Sequence, residues 1–376
     1  IDPIREKAVM SLAVYLGQSN NLLEDNDPTS RKILLDQPVV KPALLQALKG
    51  LKDEHYRTAE LLASYHPNQT NLKEAIKELS KKAADLVRGG VNILVLSNKP
   101  QKDELSIPSL LITGAVHHYL IDQGIRSRVS LVIEGGDVVE THHFATLIAY
   151  GASAVCPSLA FETLKSISEP DQVEEAVDQY IKAIGYGLRK ILSKMGISTL
   201  QSYESAQIFE ILGLNDEIVK ICFKGTPSRI SGKSFDGLER EIKANYQFAH
   251  DERAISKRLA DGGIYQWRAE GEKHLFNPKT IHLLQKSTRL NDLDLFREYS
   301  KEIDNQEKEN VTLRSLFDFK KAKSIPLEEV EPASNIMKRF ATGAMSFGSI
   351  SEEAHTTIAK AMNLIGGKSN SGEGGE

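Results

Sequence analysis

The spacing of apolar positions changes along this chain, and each change marks an element. Residues 1–80 read as mixed and mostly helical. There Pro38 and Pro42 bracket an extended stretch before helical Ala43–Leu48. A helix ends near Arg88 at Gly89-Gly90, residues suited to stopping one. Val91–Leu96 follows as a short apolar run, the pattern of a strand buried on both faces. Ser109–Thr113 reads as a strand leading into a helix over Gly114–Gln123. Val129–Ile133 is again a buried strand, ended by Glu134-Gly135-Gly136. Val138–Tyr150 is a helix, and Ala152–Val155 a strand stopped at Cys156-Pro157. Strands alternating with helices of ~10–15 residues define βαβ units, hence a parallel sheet with right-handed crossovers.

Residues 171–195 carry the clearest helical period. Val173, Val177, Tyr180, Ile181, Ile184, Leu188, Ile191 and Met195 make one apolar face, and Gly196 ends it. Residues 198–223 repeat strand–helix–strand in short form. Residues 224–310 are polar, turn-rich and irregular, with a turn at Asp261-Gly262-Gly263, the single tryptophan Trp267 and a charged stretch over 301–310. A further unit starts near Glu331-Pro332. It has a helix over 333–340, a strand-like Gly343–Phe347, and a helix over 350–365 stopped by Gly366-Gly367.

The 376 residues suffice for two or three folding units. Net charge is −4, from 47 basic and 51 acidic side chains. That balance lacks the basic stripe of a nucleic-acid binder and does not suit an anionic membrane surface, and no apolar run approaches the ~20 residues of a membrane span. Cys156 and Cys222 alone cannot build a zinc or iron–sulfur site, so no metal is expected, and low cysteine use fits a reducing, cytoplasmic setting. The chain starts without Met and ends in a glycine-rich loop, Gly366–Glu376. Both ends read as cuts inside a longer chain.

Several short motifs lack a residue that their chemistry needs, and others remain open to two readings. His117-His118 and His142-His143 are adjacent residues about 100° apart on a helix, so one of each pair is expected to pack and the other to be solvated. Gly232-Lys233-Ser234 lacks the P-loop's earlier glycine, because Pro227 stands there. Gly367-Lys368-Ser369 fails likewise at Met362. No G-x-G-x-x-G follows a strand. Glu134, at a strand's carboxyl end, is either a ligand-site carboxylate or a structural cap. Gly343–Ser349 holds small residues that let a flat ring approach the backbone. Ser371–Glu376 offers N–H donors and carboxylates, either an anion nest or a plain helix cap and linker.

At the level of longer words the sequence resembles the glutamate synthase family. Ile1–Glu6, His142–Ala145, Lys194–Thr199, Gln207–Glu210, Gly225–Ile230, Glu272–Pro278, Gly343–Ser351 and Gly367–Glu376 match its segments in order. Asn98-Lys99, where the family usually has Asp-Arg, and Cys156-Pro157-Ser158, where it has Asn-Pro-Tyr, depart from it. The resemblance implies an α/β fold: a reduced β/α-barrel-like central domain over residues 1–250, a connecting region over 251–330, and at 331–376 the opening of a second, FMN-binding β/α barrel. It implies a parent enzyme that makes two glutamates from glutamine and 2-oxoglutarate, with ammonia passing through a tunnel and FMN supplying hydride. The glutaminase domain, most of the flavin site and the 3Fe-4S cluster ligands would lie in other parts of the parent. Ferredoxin or a small NAD(P)H-oxidising subunit would deliver electrons. Carried over by motif, Ala344, Met345 and Ser346 would lie against the flavin, and Gly372 and Glu376 would border the 2-oxoglutarate site, with Glu376 catalytic. The alternatives are a non-catalytic α/β scaffold or docking module, and a stand-alone FMN dehydrogenase, for which the chain lacks a phosphate-binding loop.

Overall fold

The structure, a computed structural model, describes residues 2, 4–19, 32–51, 53, 55–250, 262–269, 271–305 and 310–372. The chain forms two compact units, Ile1–Lys257 and Arg258–Glu376.

The first unit is built on a four-stranded parallel sheet of β1 (Thr58–Leu62), β2 (Ile93–Ser97), β3 (Ser130–Glu134) and β4 (Ala152–Cys156), in chain order. Registers run Thr58↔Ile93 and Ile93↔Ser130, with one irregularity between β3 and β4 at Leu131/Val132. Every residue of β2, β3 and β4 is buried, as expected of mainly apolar strands covered on both faces. The extended stretch between Pro38 and Pro42 pairs alongside β4: Val155 N donates to Pro38 O and Val40 N to Val155 O, both at 2.8 Å. The described residues thus show a mixed α/β unit with a parallel sheet.

The crossovers are α1 (Leu72–Arg88), α2 (Ser109–Asp122) and α3 (Thr141–Ala149). Helix α1 buries Leu72, Ala75, Ile76, Leu79, Ala83 and Val87 on one stripe, and Asn71 caps it by accepting from Glu74 N. Helix α2 corrects the reading of Ser109–Thr113 as a strand, since those residues form its first turns. Nearly every residue from Leu111 to Leu120 is buried, so no polar stripe betrays the helical period. Its start is set by Asp137, whose carboxylate accepts from Ser109 N at 2.8 Å across 28 residues, a partner that local sequence does not advertise. Helix α3 starts three residues later than expected, behind a capping box between Glu140 and His143.

Neither histidine of the first pair is solvated. His117 and His118 are 2% and 6% exposed. His117 Nδ1 accepts from Arg126 Nε at 2.9 Å. Burial, then the Arg126 and His118 charges, push its pKa down to about 3, so the ring is neutral.

Beyond β4 lie α4 (Ser158–Ile167) and α5 (Val173–Met195), which buries Ile184 and Leu188 of the expected face together with Leu192 beside it, while Met195 at its end is exposed. Strand–helix–strand then occurs at 211–233 rather than 198–223. It consists of β5 (Ile211–Leu214), α6 (Asp216–Cys222) and β6 (Ser228–Lys233), with β6 parallel to β5. Helix α7 (Phe235–His250) follows.

The second unit contains more helix than its polar sequence suggests. Helices α8 (Pro278–Leu290) and α9 (Leu293–Asp304) replace part of the expected irregular region. Asn277 and Thr280 form a capping box, and Asp292 caps α9 by accepting from Asp294 N and Leu295 N. Helix α10 (Glu352–Leu364) matches the expected helix closely. Gly343–Phe347 is not a strand, and the helix expected over 333–340 is one short turn, Ala333–Met337. Asp261 lies outside the described residues.

Candidate functional site

In parallel sheets, ligand sites form where the strands end in carbonyl-side loops. In the first unit that edge is formed by Ser97-Asn98, Glu134–Asp137 and Cys156–Ser158. It opens into a cleft of about 480 Å³ walled by Pro42, Leu45, Asn98, Glu134, Asp137 and Cys156.

Its Glu134, Asp137 and Asn98 side chains are already paired. Lys49 Nζ donates to Glu134 Oε2 at 2.8 Å and to Glu60 Oε1 at 2.6 Å. Asn98 Nδ2 donates to Asp137 Oδ1 at 2.8 Å, and its Oδ1 accepts from Gly136 N at 2.9 Å. Burial alone would raise the Glu134 pKa, but the Lys49 hydrogen bond and charge hold it below the ordinary carboxylate value. Burial would lower the Lys49 pKa, and its two carboxylate partners raise it instead. Burial, with Glu134 adding to it, pushes the Cys156 thiol up to about 12, which keeps it protonated and unreactive. Of the two roles open to Glu134, the structural one fits: it anchors Lys49 under the sheet edge. Sequence reasoning missed Lys49, because the partners stand 85 positions apart.

That pair gives a pH-dependent prediction. Glu134 has a depressed pKa in the folded state, so its stabilisation is present in full above the ordinary value near 4.5 and is lost as pH falls from there through the lower folded-state value. Lys49→Met is expected to cost about 2 kcal/mol at neutral pH, less than the ~3–5 kcal/mol of a fully dry pair. The cost should shrink as the pH falls through the carboxylate range, and adding Glu134→Gln should restore most of it. Urea unfolding at pH 7 and pH 4 measures this, and an equal cost at both would refute the assignment.

The second unit brings together most of the motif residues. A parallel bridge joins Ala341 to Lys368, with Lys368 N donating to Phe340 O and Thr342 N to Lys368 O, each at 3.0 Å. Helix α10 is the connection between these two segments, so 341–368 is a minimal β-α-β turn. Ala344 and Ser346 are exposed and Met345 is half-buried. Ser346 O accepts from Ser349 N at 2.9 Å and from Ser349 Oγ at 2.7 Å, which folds the chain into a tight turn ahead of α10. Ser351 then caps α10 by accepting from Ala354 N.

Gly372 sits directly on this segment. A Cβ there would lie 3.3 Å from the Met345 carbonyl carbon and 3.4 Å from Ser346 N, and its φ of +79° favours glycine. The residues expected against a flavin and a residue expected at the substrate site are thus neighbours. Glu376 lies outside the described residues. Asn370 and Thr342, missed in the sequence, hold the two segments together. Asn370 followed two residues later by glycine is a turn signature that could have flagged the first of them. Beside them, Phe347, Glu352, His355, Thr356, Ser369 and Ser371 line an open cleft of about 700 Å³.

Among the described residues no cluster of three His, Cys, Asp or Glu side chains could hold a metal ion, and no helix is long and apolar enough to cross a membrane.

Comparison with known proteins adds the following. Residues 1–215 match the family described as glutamate synthase central domain, and residues 274–376 match a conserved region in glutamate synthase. The glutamate synthase [NADPH] large chain of Bacillus subtilis is 42% identical over 100% of this chain and 25% of its own length. The ferredoxin-dependent glutamate synthase 1 of Arabidopsis thaliana is 42% identical over 100% of this chain and 24% of its own. The glutamate synthase [NADH] of Schizosaccharomyces pombe is 41% identical over 100% and 18%. The chain therefore spans a quarter or less of these relatives. A mutant flavocytochrome b2 with benzoylformate overlaps 50% of this chain and 45% of its own at 15% identity and a TM-score of 0.32, too slight a likeness to bear on the fold.

Proposed function

We propose, from the premise that this chain belongs to the glutamate synthase family, that it supplies the spacer and the first edge of the synthase site in an enzyme making glutamate from glutamine and 2-oxoglutarate. The observation that carries this reading is the contact between Gly372 and the Met345–Ser346 peptide. It supports an arrangement in which the flavin-side backbone and the substrate-side loop form one surface.

In this reading residues 331–376 open an FMN-binding β/α barrel, and residues 1–250 form a reduced barrel-like central domain joined to it by 251–330. FMN, when bound, supplies hydride to the substrate carbon. The chain's own part is to present Ala344, Met345 and Ser346 as an uncrowded backbone to the ring, since small or half-buried side chains there leave the amides reachable. Gly372 and Glu376 border 2-oxoglutarate. The first unit keeps the glutaminase and synthase sites apart and lines part of the ammonia tunnel. Its own cleft supports a spacer role, because Glu134 and Asp137 are engaged by Lys49, Asn98 and Ser109. The 3Fe-4S ligands belong to another part of the parent, as Cys156 and Cys222 are both buried and chemically quiet. Electrons come from ferredoxin or a small NAD(P)H-oxidising subunit, in a reducing, cytoplasmic compartment.

The test is to purify the parent enzyme and measure bound flavin together with glutamine-dependent glutamate formation from 2-oxoglutarate. Bound FMN and two glutamates per turnover are expected. A parent that forms no glutamate from glutamine, or holds no flavin, would sink the reading.

A further inference from the structure

We infer that Asn370 and Thr342 are positioning residues that end the strand pairing and lock the substrate-side loop onto the flavin-side backbone. The inference rests on the function proposed above and deepens it.

A parallel ladder alternates its hydrogen bonds between neighbours. Here Lys368 N donates to Phe340 O, then Thr342 N donates to Lys368 O. The next bond of a continued ladder would run from Asn370 N to the Thr342 carbonyl. Instead Asn370 N donates to Thr342 Oγ1 at 2.9 Å. The hydroxyl takes the place of the carbonyl, and the pairing stops there. Asn370 then turns the chain: its Oδ1 accepts from Gly372 N at 2.9 Å, an Asx turn spanning two residues. The turn delivers Gly372 to the Met345–Ser346 peptide. Two side-chain bonds therefore set the distance between the backbone proposed to face the flavin and the loop proposed to face 2-oxoglutarate. Neither side chain needs to touch substrate. They act by fixing where the loop starts, and misplacement of about an ångström is costly in catalysis.

The experiment uses the parent enzyme with Asn370→Ala, Thr342→Val and Thr342→Ser. Valine keeps the shape of threonine and removes the acceptor, while serine keeps the acceptor. Dissociation constants for 2-oxoglutarate are read from its perturbation of the bound flavin's absorbance, and KM for glutamine is read from hydrolysis. Asn370→Ala and Thr342→Val should each weaken 2-oxoglutarate binding about three- to ten-fold, the range expected for one lost hydrogen bond. Flavin content, melting temperature and KM for glutamine should stay near wild type, and Thr342→Ser should behave as wild type. Unchanged 2-oxoglutarate binding in Asn370→Ala, or a Thr342→Ser variant as weak as Thr342→Val, overturns the inference while leaving the function intact. A wild-type parent without flavin or without response to 2-oxoglutarate overturns both.

Discussion

Gly114→Ala is expected to destabilise the first unit by about 3 kcal/mol or more, reversing the usual sign of that substitution. In an exposed helix interior, alanine is ~0.5–1 kcal/mol better than glycine. Gly114 lies inside α2, where a Cβ would stand 2.2 Å from the carbonyl oxygen of Cys222 and 3.2 Å from the Phe223 ring. The obstacle is backbone at the end of α6, which cannot swing aside as a side chain would. Either α6 moves off α2 or α2 shifts within a core that includes Ile112, Val116 and Leu120. Overpacking of this kind costs ~1–3 kcal/mol and more where the neighbour is rigid. Gly237→Ala in α7 is the control, since its nearest neighbours would be at 3.6 Å or beyond and mostly side chain. Urea midpoints of the two variants should move in opposite directions or differ by several-fold in size. A Gly114→Ala chain as stable as the parent sequence would show that the close approach of α2 and α6 is not real.

Val91–Leu96, Val129–Ile133 and Ala152–Val155 are legible as strands because burial on both faces makes them short and mainly apolar, with no alternating polar face. Ser109–Thr113 departs from its strand reading for the same cause: a helix buried all round also lacks a solvated polar stripe, and only length separates the two. Its true start depends on Asp137, which no local rule could supply. Helices α8 and α9 were missed although their caps are written at Asn277-Pro278 and Asp292, because their polar faces lowered the apolar signal. In the candidate site, the family words singled out residues 344–346 and 372, and the structure makes them neighbours. The fasteners Asn370 and Thr342 are polar loop residues whose role depends on a pairing 28 positions apart.

Glu376→Gln in the parent enzyme is expected to lower glutamine-coupled glutamate synthesis by ~10²-fold or more while leaving glutamine binding and hydrolysis near wild type. Glu376 lies outside the described residues, so the case rests on its chemistry and its tether. Four peptide links separate it from Gly372, and an extended chain covers at most ~3.3–3.6 Å per residue, so the main chain can carry it no more than about 14 Å away. Gly372 itself rests on Met345 and Ser346. Two like charges repel, so an ionised Glu376 is a poor direct anchor for dianionic 2-oxoglutarate. It is well suited to hold ammonium or to accept its proton before attack on the substrate carbonyl. Glutamine is isosteric and cannot take that proton at neutral pH. The loss should therefore appear in turnover of the coupled reaction, with the 2-oxoglutarate dissociation constant changed little or improved by removal of the charge. Supplying ammonia at high pH, where the free base is abundant, should recover part of the synthesis. Coupled turnover equal to wild type, or a defect confined to glutamine hydrolysis, would take Glu376 out of the reaction.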